Sequence, residues 1–243
     1  PNQVSKKFVT GLACSDRCVE KALQLRYQVF KIEMGHGANA SNGSALDRDE
    51  YDEQMTHLLL LDRSGKSVVG TYRLQTVPHA LAKKGVYSAQ EYDISPMRHL
   101  FETSVECGRA CIAPEFRKAT SLFAMWSAMH AFMAMSGNTY LFGCCSVSSH
   151  NPGDGWRVMK TLREKDFFHP DILMKPTSAF DCGDPRQEFA PDCGDPIPLP
   201  KLFHAYMRLG ARVCSLPAID RDFGTIDFLV LCDMYNINID RKS

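Results

Sequence analysis

Two charged side chains with complementary chemistry, Glu106 and Arg109, lie in the segment SVECGRACIAPEFRKATS at residues 104–121. A carboxylate can accept a proton from a nucleophile, and a guanidinium binds carboxylates and phosphates. The segment begins as an apolar strand, breaks at Pro114 and continues as a basic loop that opens an apolar helix. Unpaired N–H groups and the helix dipole favour an anion at such a helix start. The segment therefore predicts a reaction centre beside the strand and an anion site beside the loop.

Glu106 and Arg109 can act together only if their strand is irregular. Side chains alternate along a regular strand, so residues three apart point to opposite faces. A β-bulge near Gly108 would bring both side chains to one face. We predict this bulge. The alternative is a purely structural ion pair of Glu106 with Arg109 or with Arg73.

The N-terminal segment CVEKALQLRYQVFKIE predicts a helix that Ser15 or Asp16 can cap. Its apolar residues at helical spacing form one predicted buried stripe, consisting of Leu23, Tyr27, Phe30 and Met34. Arg26 and Phe30 lie one turn apart and share a face. The pattern alone favours Arg26 as a solvated helix charge.

An acidic segment, LDRDEYDEQ, follows a Gly/Asn/Ser-rich loop. Its carboxylates are typical of a solvated face, although they would also suit a desolvated amine. A calcium site is a third interpretation, but the segment lacks the spacing of an EF-hand. The carboxylates of this segment are Asp47, Asp49, Glu50, Asp52 and Glu53. Arg73, in the middle of the strand KSVVGTYRLQTV, is a candidate for pairing with this segment.

The remaining elements indicate a mixed α/β fold with a central sheet. After the strand that precedes Pro114 come a buried helix, a strand, two further helices and two closing strands. We expect a single domain over residues 1–243, with an irregular loop insertion near residues 176–198.

The composition and motifs of the chain argue against several classes of function. Lys+Arg and Asp+Glu both number 28, so no net field favours nucleic acid. The chain contains no apolar run of about 18 residues, which argues against a membrane span. The ten cysteines lack the paired CxxC spacing of zinc sites, so we expect reduced thiols in a cytoplasmic protein and no bound metal. Dinucleotide and P-loop motifs are also absent from the sequence.

Several segments carry a family resemblance. LRYQVF, DRDEYD, VGTYRL and ECGRACIAPEFR resemble the GNAT acyltransferases that include acyl-homoserine-lactone and N-acyl amino acid synthases. MRLGARV and PAIDRDFG resemble the ornithine-lipid, or hemolysin-like, N-acyltransferase branch. The resemblance implies a GNAT-like fold with a mostly antiparallel sheet flanked by helices. It places catalytic and substrate-binding residues at Arg26, Phe30, Asp49, Asp52, Arg73, Glu106 and Arg109.

The resemblance also implies direct transfer of a long, 3-hydroxylated or plain acyl chain from a thioester to the α-amine of an amino acid such as ornithine. Glu106 would be the general base, and a backbone N–H near Cys111 or Ile112 would polarise the thioester. The donor loop would be Arg117, Lys118, Ala119, Thr120 and Ser121. This loop lacks the glycines of the usual coenzyme A loop, which favours acyl carrier protein, with its phosphopantetheine thioester, over acyl-CoA.

No permanently bound cofactor is implied. Because the product would be a lyso-lipid, we expect peripheral contact with the inner membrane surface. Two alternatives remain: a signal synthase that uses S-adenosylmethionine as acceptor, and a non-catalytic, hemolysin-like membrane-binding protein.

Overall fold

The computed structural model describes residues 3–4, 8–35, 44–184 and 197–236. Within it the chain forms two compact units. Unit 1 consists of Pro1–Lys84 and Val105–Asn138, and unit 2 consists of Gly85–Ser104 and Thr139–Ser243. Residues 36–43 of the predicted Gly/Asn/Ser-rich loop and residues 185–196 of the predicted insertion lie outside the described residues. The prediction of one domain over residues 1–243 stays a prediction.

Unit 1 is built on an antiparallel sheet whose strands follow one another in chain order. They are β1 (Gln3–Val4), β2 (Val9–Leu12), β3 (Thr56–Leu61), β4 (Val68–Thr76) and β5 (Ser104–Ile112, of which Val105 onward belongs to unit 1). β3 and β4, which are close in sequence, pair through a short turn and form a hairpin. Asp62 accepts hydrogen bonds from this turn.

Helices cover both faces of this sheet. They are α1 (Asp16–Arg26) with a π-helical continuation (Tyr27–Glu33), α2 (Val77–Leu81) and α3 (Ala119–Met135). The face of β4 that carries Gly70 lies against α3, where a Cβ on Gly70 would be 3.0 Å from Met125 Sδ. The other face carries Arg73, which shares Asp52 with Arg26 of α1. The alternation of β4 therefore separates an apolar layer from a polar one.

The continuation of α1 as a π-helix changes which of its side chains are buried. Met34 N–H donates to Val29 O, five residues back, at 3.0 Å. This wider turn rotates later residues away from the line set by α1. Leu23 and Phe30 are buried as predicted, but the predicted burial of Met34 is wrong, since it is 48% exposed. A buried stripe that is predicted from the α-helical period no longer applies where the chain continues as a π-helix.

Unit 2 has four strands and a core of its own. Its strands are β6 (Tyr140–Ser148), β7 (Arg212–Val213), β8 (Ala218–Asp220) and β9 (Thr225–Asp233), and β9 pairs antiparallel with the other three. Its helices are α4 (Pro152–Glu164) and α5 (Lys201–Arg208). Asn151 caps α4 by accepting from Gly153 N–H, with Pro152 at the first helical position. Val158, Leu162, Phe203 and Phe228 belong to the core of this unit.

The predicted fold class is confirmed as a mixed α/β fold with mostly antiparallel, helix-flanked strands. The prediction that α3 is a core helix holds on one side, where Met125, Met129 and Met133 are buried, while Phe123 is 69% exposed. None of the helices in the described part of the chain combines the length and apolar character that a membrane span requires.

Candidate active site

Strand β5 contains the predicted bulge. Arg73 of β4 pairs with Gly108 and Thr71 pairs with Cys111, so the single residue Tyr72 faces two residues, Arg109 and Ala110. Arg109 has a φ of 49°, in the left-handed region that favours glycine. Such a conformation costs about 1–2 kcal/mol for a residue with a side chain. The strained backbone conformation is that of Arg109 and not that of the neighbouring Gly108. A Cβ added at Gly108 would meet nothing within 4 Å.

The bulge brings Glu106 and Arg109 to one face of the strand. Glu106 pairs with Gln75 and Gly108 with Arg73, and paired residues of an antiparallel ladder share a face. Across the bulge, the Arg109 Nη2 atom reaches Asp49 Oδ2 at 3.3 Å, and Asp49 also binds Arg73. The predicted bulge near Gly108 is therefore confirmed, and it places Arg109 on the face that carries Glu106 and Arg73.

Three arginines from three elements meet the acidic segment. Arg26 binds Asp47 and Asp52 at 2.8 and 2.5 Å. Arg73 binds Asp49 and Asp52 at 2.5 and 3.0 Å, which confirms the predicted pairing of Arg73. Arg109 binds Asp49 at 3.3 Å and lies 3.8 Å from Asp47. The expectation that Arg26 is a solvated charge is wrong: its side chain is only 1% exposed, because α1 turns it inward onto these aspartates.

The network contains one buried part and one accessible part. The side chains of Arg26, Arg73 and Asp52 are each 1% exposed, whereas Arg109 is 16% and Asp49 is 22% exposed. Burial by itself would raise the pKa of Asp52, but the two buried guanidiniums outweigh it and hold this pKa at about 2. The buried part therefore braces the site, and Arg109 and Asp49 are the members that a substrate can reach.

His57 lies beneath the network. It is 2% exposed, its Nε2 atom is 3.2 Å from the backbone oxygen of Asp52, and none of the described residues forms a hydrogen bond with its Nδ1 atom. Burial, with the nearby charges of Arg26 and Arg73, lowers the pKa of His57 despite the opposing effect of Asp52. The imidazole is therefore neutral at pH 7 and donates from Nε2, which fixes the backbone that carries Asp52.

Glu106 is connected to two glutamines. The Gln75 Nε2 atom donates to Glu106 Oε2 at 2.6 Å, and Gln54 Nε2 donates to Gln75 Oε1 at 2.7 Å. Glu106 and Gln75 are both 2% exposed. The carboxylate is thus held at the polar face of the sheet, beside the arginine–aspartate network, where it can accept a proton from a substrate amine.

The loop before α3 uses several predicted donor-binding groups internally. Arg117 makes a two-pronged pair with Glu33 at 2.5 and 2.6 Å and donates from Nε to Ile112 O. The Ser121 hydroxyl donates to Phe116 O at 2.6 Å, and Ser121 N–H donates to Lys118 O. Arg117 and Ser121 therefore shape the loop.

The exposed start of α3 is left to Lys118, Ala119 and Thr120. The N–H groups of Ala119 and Thr120 have no acceptor within the helix, because it begins at Ala119. These three residues, together with the exposed Arg117 that is paired with Glu33, are the part of the predicted donor loop that faces solvent.

The backbone N–H groups of Cys111 and Ile112, both predicted to polarise a thioester, differ in whether the β4–β5 ladder uses them. Ala113 N–H donates to Val69 O at 2.9 Å, so Val69 and Ala113 form a hydrogen-bonded pair of the β4–β5 ladder. Hydrogen-bonded pairs alternate along an antiparallel ladder, and the register assigns Cys111 opposite Thr71 to that class and Ile112 opposite Gly70 to the other. Cys111 N–H is therefore used within the ladder, and Ile112 N–H points away from β4.

One group of side chains outside this site has the spacing of a metal site. Ligand atoms of Glu91, Asp220 and Asp227, all in unit 2, lie within 4.8 Å of one another. Acidic groups of this kind are common without an ion, and we assign no metal to them. The nine described cysteines are free thiols. Burial raises the pKa of Cys111 to about 12, which opposes a nucleophilic role for that thiol.

Sequence reasoning missed four residues that the structure adds to the site, Asp47, Gln54, His57 and Gln75. Asp47 was one carboxylate among five in LDRDEYDEQ, and the sequence offered nothing to separate it from Glu50 and Glu53. Gln75 did have a signal, because it lies two residues after Arg73 in the same strand and so shares its face. Phe30, a predicted site residue, is buried on the π-helix at 8% exposure.

Fold and site together define a GNAT acyltransferase, and a GNAT acetyltransferase domain model matches residues 25–127. The chain is 31% identical over 251 residues to the L-ornithine N(alpha)-acyltransferase of Agrobacterium fabrum. It is 30% identical over 250 residues to the enzyme of the same name from Rhizobium meliloti. Each alignment covers 94% of this chain and 81% of the relative. The chain therefore belongs to the L-ornithine N(alpha)-acyltransferase family, and it is an N-acyltransferase.

Solved structures confirm the fold. FeeM, an N-acyl amino acid synthase from uncultured soil microbes, aligns with a TM-score of 0.56 over 97% of this chain and 93% of its own, at 8% identity. MesI, a CoA-dependent acyl-homoserine lactone synthase, aligns with a TM-score of 0.53 over 95% of this chain and 91% of its own, at 11% identity. At these identities the likeness concerns the fold alone.

Proposed function

We propose that this enzyme transfers a long-chain fatty acyl group from a thioester to the α-amine of ornithine. The observation that carries the proposal is the bulge at Arg109, which puts a buried carboxylate and an accessible guanidinium on one face of β5. The names of the relatives, all L-ornithine N(alpha)-acyltransferases, support the choice of acceptor.

The chemistry requires one proton to be removed. A neutral amine attacks the carbonyl carbon of the thioester, and the carbon–sulfur bond breaks as the amide forms. The sulfur leaves as a thiolate and takes up the proton that the amine has passed to Glu106. Glu106, directly or through a water molecule, accepts the proton that the amine loses. Ile112 N–H, which points away from β4, is the donor that would stabilise the negative charge developing on the carbonyl oxygen.

The accessible members of the network suit a zwitterionic acceptor. The Arg109 guanidinium would bind the α-carboxylate, because carboxylates match its planar donors. Asp49, next to it and 22% exposed, would bind the side-chain ammonium. Arg26, Arg73 and Asp52 would keep these two groups in place from the buried side, together with Phe30.

We further propose acyl carrier protein as the donor. Lys118, Ala119 and Thr120 would bind the single phosphate of its phosphopantetheine arm at the exposed start of α3, and Lys118 would also meet the acidic carrier surface. Ser121 and Arg117 would support this loop from behind through Phe116 O and Glu33. The lyso-lipid product requires peripheral contact with the membrane surface.

Mass spectrometry of the products tests this function. The full chain is incubated with 3-hydroxyacyl carrier protein or the matching acyl-CoA, and with ornithine, lysine, other amino acids or S-adenosylmethionine. We expect N-acyl-ornithine, formed faster from the carrier protein. Products confined to S-adenosylmethionine would instead identify a signal synthase.

Glu106→Gln tests the base with an isosteric change. General-base assistance contributes about 10²–10⁴-fold, so we expect a loss of at least about a hundredfold in kcat with unchanged melting temperature. Glu102→Gln, on the 3-10 helix before β5, is the exposed control and should retain full activity. Undiminished transfer by Glu106→Gln would remove Glu106 as the base.

A further inference from the structure

Three consecutive hydrogen bonds lead from the backbone of Lys84 to Glu106. Lys84 N–H donates to Gln54 Oε1 at 3.0 Å, Gln54 Nε2 donates to Gln75 Oε1 at 2.7 Å, and Gln75 Nε2 donates to Glu106 Oε2 at 2.6 Å. All four residues belong to unit 1. We call Gln54 and Gln75 the amide pair.

The donor and the acceptor in each of these hydrogen bonds are determined by the groups at the two ends of the series, Lys84 N–H and the Glu106 carboxylate. A backbone N–H can only donate, so Gln54 must turn its oxygen towards Lys84 and its nitrogen towards Gln75. Gln75 then accepts with its oxygen and turns its own nitrogen to Glu106. An ionised carboxylate can only accept, so the last bond agrees with the first.

The fold keeps the starting N–H in place. β4 runs directly into α2, whose N-cap Thr76 accepts from His79 N–H at 3.4 Å. His79 Nε2 is 3.1 Å from Gln54 O, so the short helix and the acidic segment are joined close to the amide pair. At the other end, Gln75 and Glu106 are register partners in β4 and β5.

A glutamine between two polar groups has two amide orientations of nearly equal shape. If Gln75 were reversed, its oxygen would face the Glu106 carboxylate and the two acceptors would repel each other. Gln75 is 2% exposed, so little water is available to relieve that contact. The link through Gln54 to Lys84 selects the orientation that presents a donor.

We propose that the amide pair is a positioning device for Glu106 in acyl transfer. Through its fixed direction it keeps a donor on Glu106 Oε2 and so holds the carboxylate in one orientation while the substrate amine loses its proton. Gln54 and Gln75 act through Glu106 and are positioning residues. This inference rests on the proposed function, in which Glu106 is the base.

The test compares two substitutions of half-buried Gln54 in the full chain, Gln54→Glu and Gln54→Met. The new carboxylate keeps the shape of glutamine and the bond from Lys84 N–H, but it cannot donate to Gln75. The Gln75 amide then lies between two acceptors and loses its fixed direction. Methionine removes both bonds and leaves Gln75 free to keep its orientation. A merely structural role predicts that methionine is at least as harmful, since it loses more hydrogen bonds.

We expect the opposite order. One hydrogen bond to a charged group corresponds to about tenfold to hundredfold in rate. Gln54→Glu should lower kcat for acyl transfer to ornithine from acyl carrier protein by about this factor, with unchanged KM for ornithine. Gln54→Met should lose only a few-fold. Gln90→Glu, an exposed change outside the site, is the charge control and should match the unsubstituted protein.

A pH series adds a readout that packing would not move. As the pH falls, the new carboxyl group of Gln54→Glu takes up a proton and can donate to Gln75 again, so its rate should recover relative to Gln54→Met. The titratable groups around position 54, namely Glu50, Tyr51, Glu53, His79 and Lys84, are present in both variants and cancel in this ratio.

The outcomes separate the two proposals. If the unsubstituted protein is active and Glu106→Gln is not, but Gln54→Glu equals or exceeds Gln54→Met at every pH, the amide pair is not a positioning device. If the unsubstituted protein acylates no amine, the proposed function fails first, and the inference that rests on it fails with it. The chemical shifts of the Gln75 side-chain amide protons, measured by nuclear magnetic resonance, then still test whether the amide pair has a fixed direction. Chemical shifts that change in Gln54→Glu but not in Gln90→Glu support a fixed direction. Chemical shifts that are unchanged in Gln54→Glu overturn it.

Discussion

Replacing Asp52 by asparagine removes the carboxylate shared by two buried arginines. Its Oδ1 atom lies 2.5 Å from Arg26 Nη1 and 3.0 Å from Arg73 Nη1, and all three side chains are 1% exposed. Asparagine preserves the shape of the side chain but not its charge. Two guanidiniums then lie close together with one fewer negative charge between them, and little solvent is available to compensate.

The pKa of Asp52 gives the magnitude. Arg26 and Arg73 overcome the effect of burial and lower this pKa from 3.8 to about 2, which corresponds to about 2 kcal/mol in favour of the charged form. Breaking a buried ion pair by removing one partner costs about 3–5 kcal/mol. At neutral pH we therefore expect Asp52→Asn to lower the free energy of unfolding by about 2–5 kcal/mol.

The pH dependence has a definite sign. Because the pKa in the folded state is below that in the unfolded state, the stabilisation by Asp52 is complete above about pH 5 and disappears as the pH falls towards 2. About half of the stabilisation of about 2 kcal/mol that follows from the lowered pKa of Asp52 is already lost near pH 3. The difference between the unsubstituted protein and Asp52→Asn should shrink accordingly.

Urea unfolding, followed by circular dichroism at about pH 7 and about pH 3, measures this difference. Glu53→Gln is a matched control, because it removes a neighbouring but exposed charge and should change stability by less than about 0.5 kcal/mol. A loss below about 1 kcal/mol in Asp52→Asn at neutral pH, or a loss of the same size at both pH values, would refute this account of the network.

Two further predictions concern the bulge and the thiols. Arg109→Gly and Arg109→Ala both remove the contact with Asp49 and should lower acyl transfer alike, but the glycine variant should be more stable by about 1 kcal/mol, since glycine adopts the φ of 49° without strain. Thermal unfolding measures this, and equal stability would show that the bulge stores no strain. The Ser15 hydroxyl lowers the pKa of Cys18, and burial raises that of Cys111 to about 12. Iodoacetamide followed by peptide mass spectrometry should therefore label Cys18 and the exposed Cys14 before Cys111, and early labelling of Cys111 would contradict the burial described for β5.

Strand β5 shows what sequence can decide. The residues that follow Ser104 and precede Pro114 predicted a strand, and β5 spans Ser104–Ile112. The need for Glu106 and Arg109 to share a face then predicted the irregularity. Which residue carries the strain could not be predicted, because Gly108 has the freer backbone, and the contact of Arg109 with Asp49 exists only after the acidic segment has folded onto the sheet.

Arg26 shows the limit of periodicity. A charged residue on an amphipathic helix is normally solvated, and only the resemblance placed Arg26 in the site. Its burial depends on Asp47 and Asp52, which come 21 and 26 residues later, so local pattern contains no trace of it. Met34 fails for a related reason, since the change to a π-helix after Arg26 moves Met34 away from the buried stripe that Leu23 and Phe30 share.

The sequence by itself determined the fold class, the approximate positions of the long strands and helices, and most of the residues that form the candidate site. These follow from hydrophobic period, turn residues and spaced motifs, all of which act over short distances along the chain. Tertiary structure alone decided the partners: which aspartate binds which arginine, that Arg117 and Ser121 close their own loop, and that Gln54 and Gln75 connect Lys84 to Glu106. Hydrogen bonds and ion pairs depend on atoms coming within about 3 Å of each other, and for residues far apart in the chain only the packed fold sets that distance.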